Sequence, residues 1–324
     1  MKSIVGLLVM LSFLASFEAQ LQVGFYSHSC PWAESIVREE VKRAYAINTG
    51  IAPGLVRLHF HDCFIRGCDA SVLIDSTTNN TAEKDSPANN PSLRGFEVID
   101  SAKKRIEAKC KKTVSCADIL AFAARDSVKI TKGLYYNVPA GRRDGRISLT
   151  ADAFPNLPGP QLTVDMLTQS FSSKGLTQDD MVTLSGAHTI GRSHCTSITQ
   201  INDRLYNFNG TNGPDPTLNA TYAAQLRQAC PQGSSDTTSV VPMDPQTPSE
   251  TDTKYYANIL ASKGLFTADQ TLMTDATTLA AVKMYAKNKL VWLNKFAAAM
   301  VKMGNIGVLT GTDGEIRLNC RVIN

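Results

Sequence analysis

Arg57-Leu58-His59-Phe60-His61-Asp62-Cys63-Phe64-Ile65-Arg66-Gly67-Cys68-Asp69-Ala70-Ser71 is the stretch whose reading decides the fold. Helical spacing sets Arg57 and His61 one turn apart on a common face. Asp62 projects to a different side, and a short loop bounded by Cys63 and Cys68 then delivers Asp69 and Ser71. One face offers an imidazole base beside a fixed cation, and the other offers hard oxygen ligands. A guanidinium keeps its proton, so it disfavours protonation of its neighbour. A neutral imidazole so placed can take up a proton while the cation stabilises developing negative charge. Without such a neighbour a helical histidine is more often structural, and His59, which faces elsewhere, reads that way.

Two further groupings carry chemistry. In Leu184-Ser185-Gly186-Ala187-His188-Thr189-Ile190-Gly191 a histidine lies between glycines, which let something flat or bulky approach the backbone. Thr189 then offers a hydroxyl and a carbonyl on the opposite side of the chain; a buried core histidine is the competing reading. In 243–252, Asp244, Thr247 and Asp252 place two carboxylates and a hydroxyl among carbonyls, a set suited to calcium. The spacing is not that of an EF-hand, and a proline-turned surface loop is the plain alternative.

The N-terminus reads as a signal peptide, 1–19: Lys2 precedes an apolar run over 4–17 that is too short to span a bilayer. No later stretch is apolar enough to span, so a secreted protein with no membrane span is expected. Eight cysteines in an exported chain read as four disulfides, although spacing alone leaves 105 pairings and only Cys63–Cys68 is suggested by proximity. Zinc is disfavoured, because there is no CxxC pair and the five histidines are scattered. A formal charge of +4, spread along the chain, excludes a nucleic-acid binder and permits a weak attraction to acidic cell-wall polysaccharide. Asn79, Asn209 and Asn219 each begin a glycosylation sequon.

Helical periodicity covers 33–46, 54–60, 96–109, 115–127, 164–172, 179–185, 198–205, 220–229 and 277–303. Ser115 with Asp118, and Thr177 with Asp180, read as capping boxes with Asp in place of Glu. Strand signals are short, at 145–148 and 236–241. The fold class is mostly α with minor short β elements and long loops.

At this point the chain closely resembles the class III secretory plant peroxidases, the horseradish-type haem peroxidases. The matching motifs are 57–71, 94–100 (Arg-Gly-Phe-Glu-Val-Ile-Asp), 114–120 (Val-Ser-Cys-Ala-Asp-Ile-Leu), 141–145 (Gly-Arg-Arg-Asp-Gly), 184–191, 204–208 (Arg-Leu-Tyr-Asn-Phe) and 303–306 (Met-Gly-Asn-Ile). They run in one order through essentially all of 20–324. The resemblance implies a helical fold in which haem b, one per chain, lies between a distal half of roughly 20–160 and a proximal half of roughly 161–324.

Position by position, the resemblance implies that His188 is the axial ligand of the haem iron and that Asp269 accepts the other N–H of that imidazole. It implies that His61 is the distal acid–base, Arg57 its cation, and Asn89 and Glu83 the chain that holds the imidazole tautomer. Two calcium ions are implied, one at Asp62, Ile65, Gly67, Asp69 and Ser71 with Glu83 beside them, the other at Thr189, Asp244, Thr247, Glu250 and Asp252. Ile65, Gly67 and Glu250 would contribute carbonyls. The implied disulfides are Cys30–Cys110, Cys63–Cys68, Cys116–Cys320 and Cys195–Cys230, and Pro158 matches the exposed haem edge where reducing substrates dock. The expected reaction reduces hydrogen peroxide to water and oxidises small phenolic donors one electron at a time, in a monomer. Phe60 and Met243 stand where some relatives carry tryptophan, Pro87, Gln161 and Ser197 suggest a polar donor channel, and nothing after Asn324 signals a vacuolar tail. A non-catalytic wall-binding glycoprotein would be favoured by loss of Arg57, His61 or His188, and none is lost. An oxidase that makes reactive oxygen species would use the same site.

Overall fold

Two fifteen-residue helices, α1 (Ala33–Ile47) and α2 (Ile51–Ile65), are the first helices of the computed structural model, which describes residues 20–201, 203–234 and 236–324. The expected signal segment lies outside the described residues. The periodicity of 54–60 understates α2, which continues through Ile65 and so carries His61 and Asp62 on regular helix. Its C-terminal half is buried nearly all round, so the polar–apolar contrast that marks a helix in sequence fades there.

α3 (Phe96–Glu107) and α4 (Cys116–Ile130) complete the layer against which α2 lies, with α1, α2 and α3 all packed on α4. Ser115 starts α4 by accepting the N–H of Asp118 at 3.1 Å, one half of the expected box. After α5 (Ala153–Asn156) and α6 (Val164–Ser173), α7 (Gln178–Ser185) begins with a reciprocal box. Thr177 Oγ1 accepts the Asp180 N–H at 3.1 Å, and Asp180 Oδ2 accepts the Thr177 N–H at 2.8 Å. The shorter Asp closes the ring as Glu does elsewhere. A 3-10 turn, Gly186–Thr189, continues directly from α7.

β1 (Arg192–His194), α8 (Thr196–Thr199), α9 (Ala220–Ala229), β2 (Val240–Pro242), α10 (Lys254–Leu260), α11 (Thr267–Gln270), α12 (Ala276–Lys287) and α13 (Lys289–Met303) follow. β1 and β2 pair antiparallel, with Ser193 opposite Val241. Four expectations change here. The helix expected over 198–205 ends at Thr199, because Arg204 turns inward to Asp215 (2.8 Å) and the Gly264 carbonyl (2.5 Å) and fixes an irregular loop. The helix expected over 277–303 breaks at Asn288, which is extended (φ −130°, ψ 75°). At 145–148 no ladder forms, since the Gly145 N–H donates to the Asp69 carbonyl at 2.8 Å and draws the chain away. Of 236–241 only the end is strand. Asp236 accepts the N–H and hydroxyl of Thr238 (2.7 and 2.6 Å), closing a turn instead.

One apolar core draws on both ends of the chain: Phe64 of α2 meets Phe171 of α6 with ring centroids 4.9 Å apart. A smaller cluster gathers Ile198, Leu205, Leu218 and Leu226 around the Cys195–Cys230 bridge. Disulfides also join Cys30 to Cys110, Cys63 to Cys68 and Cys116 to Cys320, the pairs the resemblance implies.

Asp118 of α4 is the polar centre of the assembly. It is fully buried and accepts from Tyr26 Oη, the Gly141 N–H and Arg142 Nη1, each at 2.7 Å. Arg142 in turn donates to the Gly304 carbonyl at 2.7 Å, just past α13. Removing one partner of a buried ion pair leaves the other uncompensated, so Asp118→Ala is expected to cost about 3–5 kcal/mol. Thermal or urea unfolding measures it, and a cost below about 1 kcal/mol, the range of an exposed pair, would contradict the clamp.

Candidate active site and cation sites

α2 presents Arg57 and His61 one turn apart, as the spacing requires. His61 Nδ1 lies 2.7 Å from Asn89 Oδ1, and Asn89 Nδ2 donates to the Glu83 carbonyl at 2.7 Å. Because that amide group donates through its nitrogen, its oxygen faces the imidazole. Nδ1 therefore carries the proton and Nε2 the lone pair. Burial, then the Arg57 charge, pushes His61 well below the ordinary imidazole range, and the Asn89 bond offsets this only in part. Burial and the Arg94 charge lower Arg57 to about 10, which still leaves it charged at neutral pH. Arg57 donates to Ser92 Oγ (2.9 Å) and to the Ala88 carbonyl (3.2 Å), which hold its guanidinium in place. His59 faces the core with Nδ1 3.6 Å from Cys63 Sγ, and burial pushes it down to about 3, as suits a structural residue.

His188 sits in the turn that ends α7. Its Nδ1 is 2.7 Å from Asp269 Oδ1, and the two residues differ sharply in exposure, 40% for the His188 side chain against 2% for that of Asp269. The same Asp269 oxygen accepts Tyr255 Oη at 2.9 Å, and Oδ2 accepts the Phe266 N–H at 2.8 Å. Burial raises the carboxyl, but the His188 charge and these donors outweigh it and hold Asp269 below the usual carboxylate range. Tyr255 and Phe266 stand edge-on to the imidazole at 6.0 and 5.7 Å. Gly186 is required beneath it, since a Cβ there would lie 2.5 Å from Tyr256 Oη. Both histidines thus have Nδ1 engaged and, among the described residues, Nε2 without a partner. One ring is buried beside a cation, and the other is half open with a carboxylate behind it. That donor set fits a haem, with one imidazole to ligate iron and one to act as base.

The oxygen-rich groups also converge. Asp62 Oδ2 accepts the Ala70 N–H at 3.0 Å, Asp69 Oδ1 accepts the Ser71 N–H at 2.9 Å, and Ser71 Oγ donates to Glu83 Oε2 at 3.3 Å. Glu83 Oε1 is buried with no partner. Burial and the Asp69 charge push Asp62 well up and Glu83 up to about 8. Three crowded buried carboxylates and one orphan oxygen are what a divalent cation would satisfy. Gly145 leaves room for them, because a Cβ there would collide with the Asp69 carboxylate. At the second set, Thr189 Oγ1 donates to Asp252 Oδ1 (3.2 Å) and to the Glu250 carbonyl (3.3 Å), and Thr247 Oγ1 donates to Asp244 Oδ2 (3.0 Å). The Glu250 carboxylate instead pairs with Lys132, which leaves its carbonyl for the site. Thr251, in the same loop, hydrogen bonds Thr131 at the end of α4 (2.7 Å). Among the described residues no three His, Cys, Asp or Glu side chains are arranged to hold a metal ion. The case for cations therefore rests on mixed carboxylate, hydroxyl and carbonyl sets.

Pro158 is half-buried in a segment whose Pro160 carbonyl accepts the Ala268 N–H at 2.9 Å, beside Asp269. Asn79 and Asn209 are exposed, whereas Asn219 is half-buried and caps α9 through Oδ1 (3.1 Å to the Tyr222 N–H). The Glu83 link to Asn89 runs through its carbonyl, and its carboxylate faces Ser71. Tyr255 and Phe266 were not singled out from sequence. The adjacent Tyr255-Tyr256 pair is a signal, but α10 is only seven residues long and shows little periodicity.

With its folded pKa held down, His61 stays neutral below the ordinary value of about 6.5. The rate of reaction with peroxide is expected to stay level as pH falls through 6.5 and to decline only at more acid pH. Rapid mixing across pH checks this, and a midpoint at or above the ordinary value would contradict the environment described for His61.

Comparison with known proteins agrees with the resemblance. The model of the peroxidase family matches residues 37–288. Peroxidase 5 of Vitis vinifera is 66% identical over 322 residues, covering 99% of this chain and 97% of its own. Peroxidase 1 of Zea mays is 50% identical over 96% of this chain and 85% of its own, and a peroxidase of Armoracia rusticana 47% over 96% and 94%. Full-length identity of this order, on a mostly helical fold, leaves one assignment: the chain belongs to the peroxidase family, among the class III plant enzymes, and is a hydrogen-peroxide-dependent oxidoreductase.

Proposed function

We propose that the chain is a secreted, monomeric peroxidase with one haem b and two calcium ions that oxidises small phenolic donors in the cell wall. Cross-linking of wall phenolics, lignification or a response to oxidative stress would draw on that reaction. The observation that carries the reading is the pair of imidazoles with Nδ1 engaged and, among the described residues, Nε2 without a partner, one of them beside Arg57. Secretion is supported by the N-terminal apolar run, the four disulfides and three sequons. Among the described residues no helix is long and apolar enough to cross a membrane. The weak attraction to acidic wall polysaccharide rests on the +4 charge alone.

In this reading His188 Nε2 would hold the iron, and Asp269, accepting from Nδ1, would raise the basicity of that ligand. Bound haem would supply a centre that takes two oxidising equivalents from peroxide and hands them on singly. His61 Nε2 accepts a proton from the incoming peroxide and returns it to the departing oxygen, which leaves as water. Asn89 keeps the required tautomer, with Glu83 anchoring Asn89. Arg57, fixed by Ser92 and Ala88, stabilises the negative charge that develops as the oxygens separate. Donors would dock near Pro158, with the proton of each phenol leaving through the same pocket.

Asp62, Asp69, Ser71 and the carbonyls of Ile65 and Gly67 would hold the first calcium, with Glu83 beside them. Thr189, Asp244, Thr247, Asp252 and the Glu250 carbonyl would hold the second. Each set begins at the residue directly after a site histidine, so each ion would steady an imidazole as well as a loop.

Haem-loaded, calcium-replete protein is expected to oxidise guaiacol only when peroxide is added, and failure to turn over would sink the reading. His61→Leu is expected to slow the first reaction with peroxide by about 10²–10⁴-fold or more while haem stays bound. An unchanged first step on rapid mixing would remove His61 from its assigned part.

A further inference from the structure

Behind His188 lies a file of aromatic rings that the chemistry at His61 does not use. Tyr255 stands edge-on to the His188 ring at 6.0 Å, Tyr256 edge-on to Tyr255 at 5.0 Å, and Tyr285 is tilted against Tyr256 at 5.2 Å. Trp292 branches from Tyr256 at 5.8 Å. α10 supplies the first two tyrosines, α12 the third and α13 the tryptophan, and all four side chains are buried. Contact between successive rings gives electrons a continuous route from the proximal histidine toward the far side of the helical layer.

Where along this route a radical would settle depends on protons. A buried ring that loses an electron and keeps its proton becomes an unpaired buried cation, which is costly. Tyr256 Oη donates to the carbonyls of Val182 (2.9 Å) and Thr183 (3.2 Å), and Trp292 Nε1 donates to the Thr183 carbonyl (3.1 Å); carbonyls are not bases. Tyr255 faces Asp269, but that carboxylate already accepts from His188 and the Phe266 N–H and is held strongly ionised. Tyr285 differs. Its Oη is 2.8 Å from Asp179 Oδ1 and 2.9 Å from Thr183 Oγ1, and the other Asp179 oxygen pairs with Lys295 Nζ at 2.8 Å. The Asp179 side chain is 51% exposed, so a proton it receives can pass to solvent.

We propose that Tyr255, Tyr256 and Tyr285 carry oxidising equivalents from the haem site to the Asp179–Lys295 face, and that Tyr285 is where the radical resides. The inference rests on the peroxidase reading with His188 as iron ligand. Hydrogen peroxide takes up two electrons and two protons and becomes two waters. When no donor lies at the haem site, the bound haem would supply one of those electrons, later restored by a donor, and Tyr285 the other through Tyr256 and Tyr255, where no bond is made or broken; both protons enter from water. The Tyr285 O–H bond breaks, and its proton goes to Asp179 and on to water. A phenol too bulky to reach the haem site then gives one electron and one proton at this face, restoring the Tyr285 O–H and leaving as a phenoxyl radical.

The test mixes haem-loaded protein with one equivalent of peroxide, without donor, and freezes it for electron paramagnetic resonance. A tyrosyl signal is expected that narrows when the protein carries ring-deuterated tyrosine. It should be lost in Tyr285→Phe and weakened in Tyr256→Phe, while the haem absorption responds to peroxide as in the parent protein. Asp179→Asn, a surface change, should form the signal more slowly, which keeps the test open if a core variant does not fold. A normal haem response without a tyrosyl signal, or a signal undiminished in Tyr285→Phe, overturns the relay alone. No haem response in the parent protein overturns the peroxidase reading, and the relay with it.

Discussion

The buried pair of Asp118 and Arg142 is the interaction on which the rest depends. It ties Tyr26, ahead of α1, Gly141 in the middle and Gly304 at the end of α13 to one helix, α4. α4 is the surface on which α2 lies, so the pair fixes the direction in which α2 points its chemistry. The Cys116–Cys320 bridge, at the first residue of α4, holds the chain's last segment to the same place. A buried pair of this kind is strong only when every partner is present, which makes the platform cooperative rather than incremental.

From that platform the molecule applies one device twice. An imidazole is fixed through Nδ1, by Asn89 in one case and Asp269 in the other, and among the described residues its Nε2 has no partner. The fixing groups set the difference in behaviour. A neutral amide in a buried setting beside Arg57 leaves His61 an uncharged base, whereas a carboxylate behind His188 would, in the proposed reading, enrich it as a donor to a metal. Tyr255 and Phe266 share the same carboxylate with His188 and so moderate how much charge it lends to the imidazole.

Much of this was legible in the sequence where the chemistry is local. Arg57, His61, Asp62, Asp69 and Ser71 fall within fifteen residues, so helical spacing and a short cysteine loop suffice to place them. The capping pair Thr177 and Asp180 is local in the same way. Partners distant in sequence were different. Asn89 and Asp269 are legible only through resemblance to a family, because 28 and 81 residues separate them from their histidines. Where burial is uniform, as at the end of α2, periodicity stops reporting the helix. Where a buried arginine organises a loop, as Arg204 does, an apolar rhythm is mistaken for helix. Tyr255 escaped notice because a seven-residue helix is too short to show a period.

In the proposed function the two imidazoles have unequal parts, His188 to hold the iron and His61 to stay off it. Resonance Raman spectroscopy of the haem-loaded protein, its iron reduced, tests this most directly, through the iron–histidine stretch. One histidine ligand is expected, whose stretch survives His61→Leu and disappears in His188→Ala. Two histidine ligands, or a stretch that survives His188→Ala and is lost in His61→Leu, would contradict it.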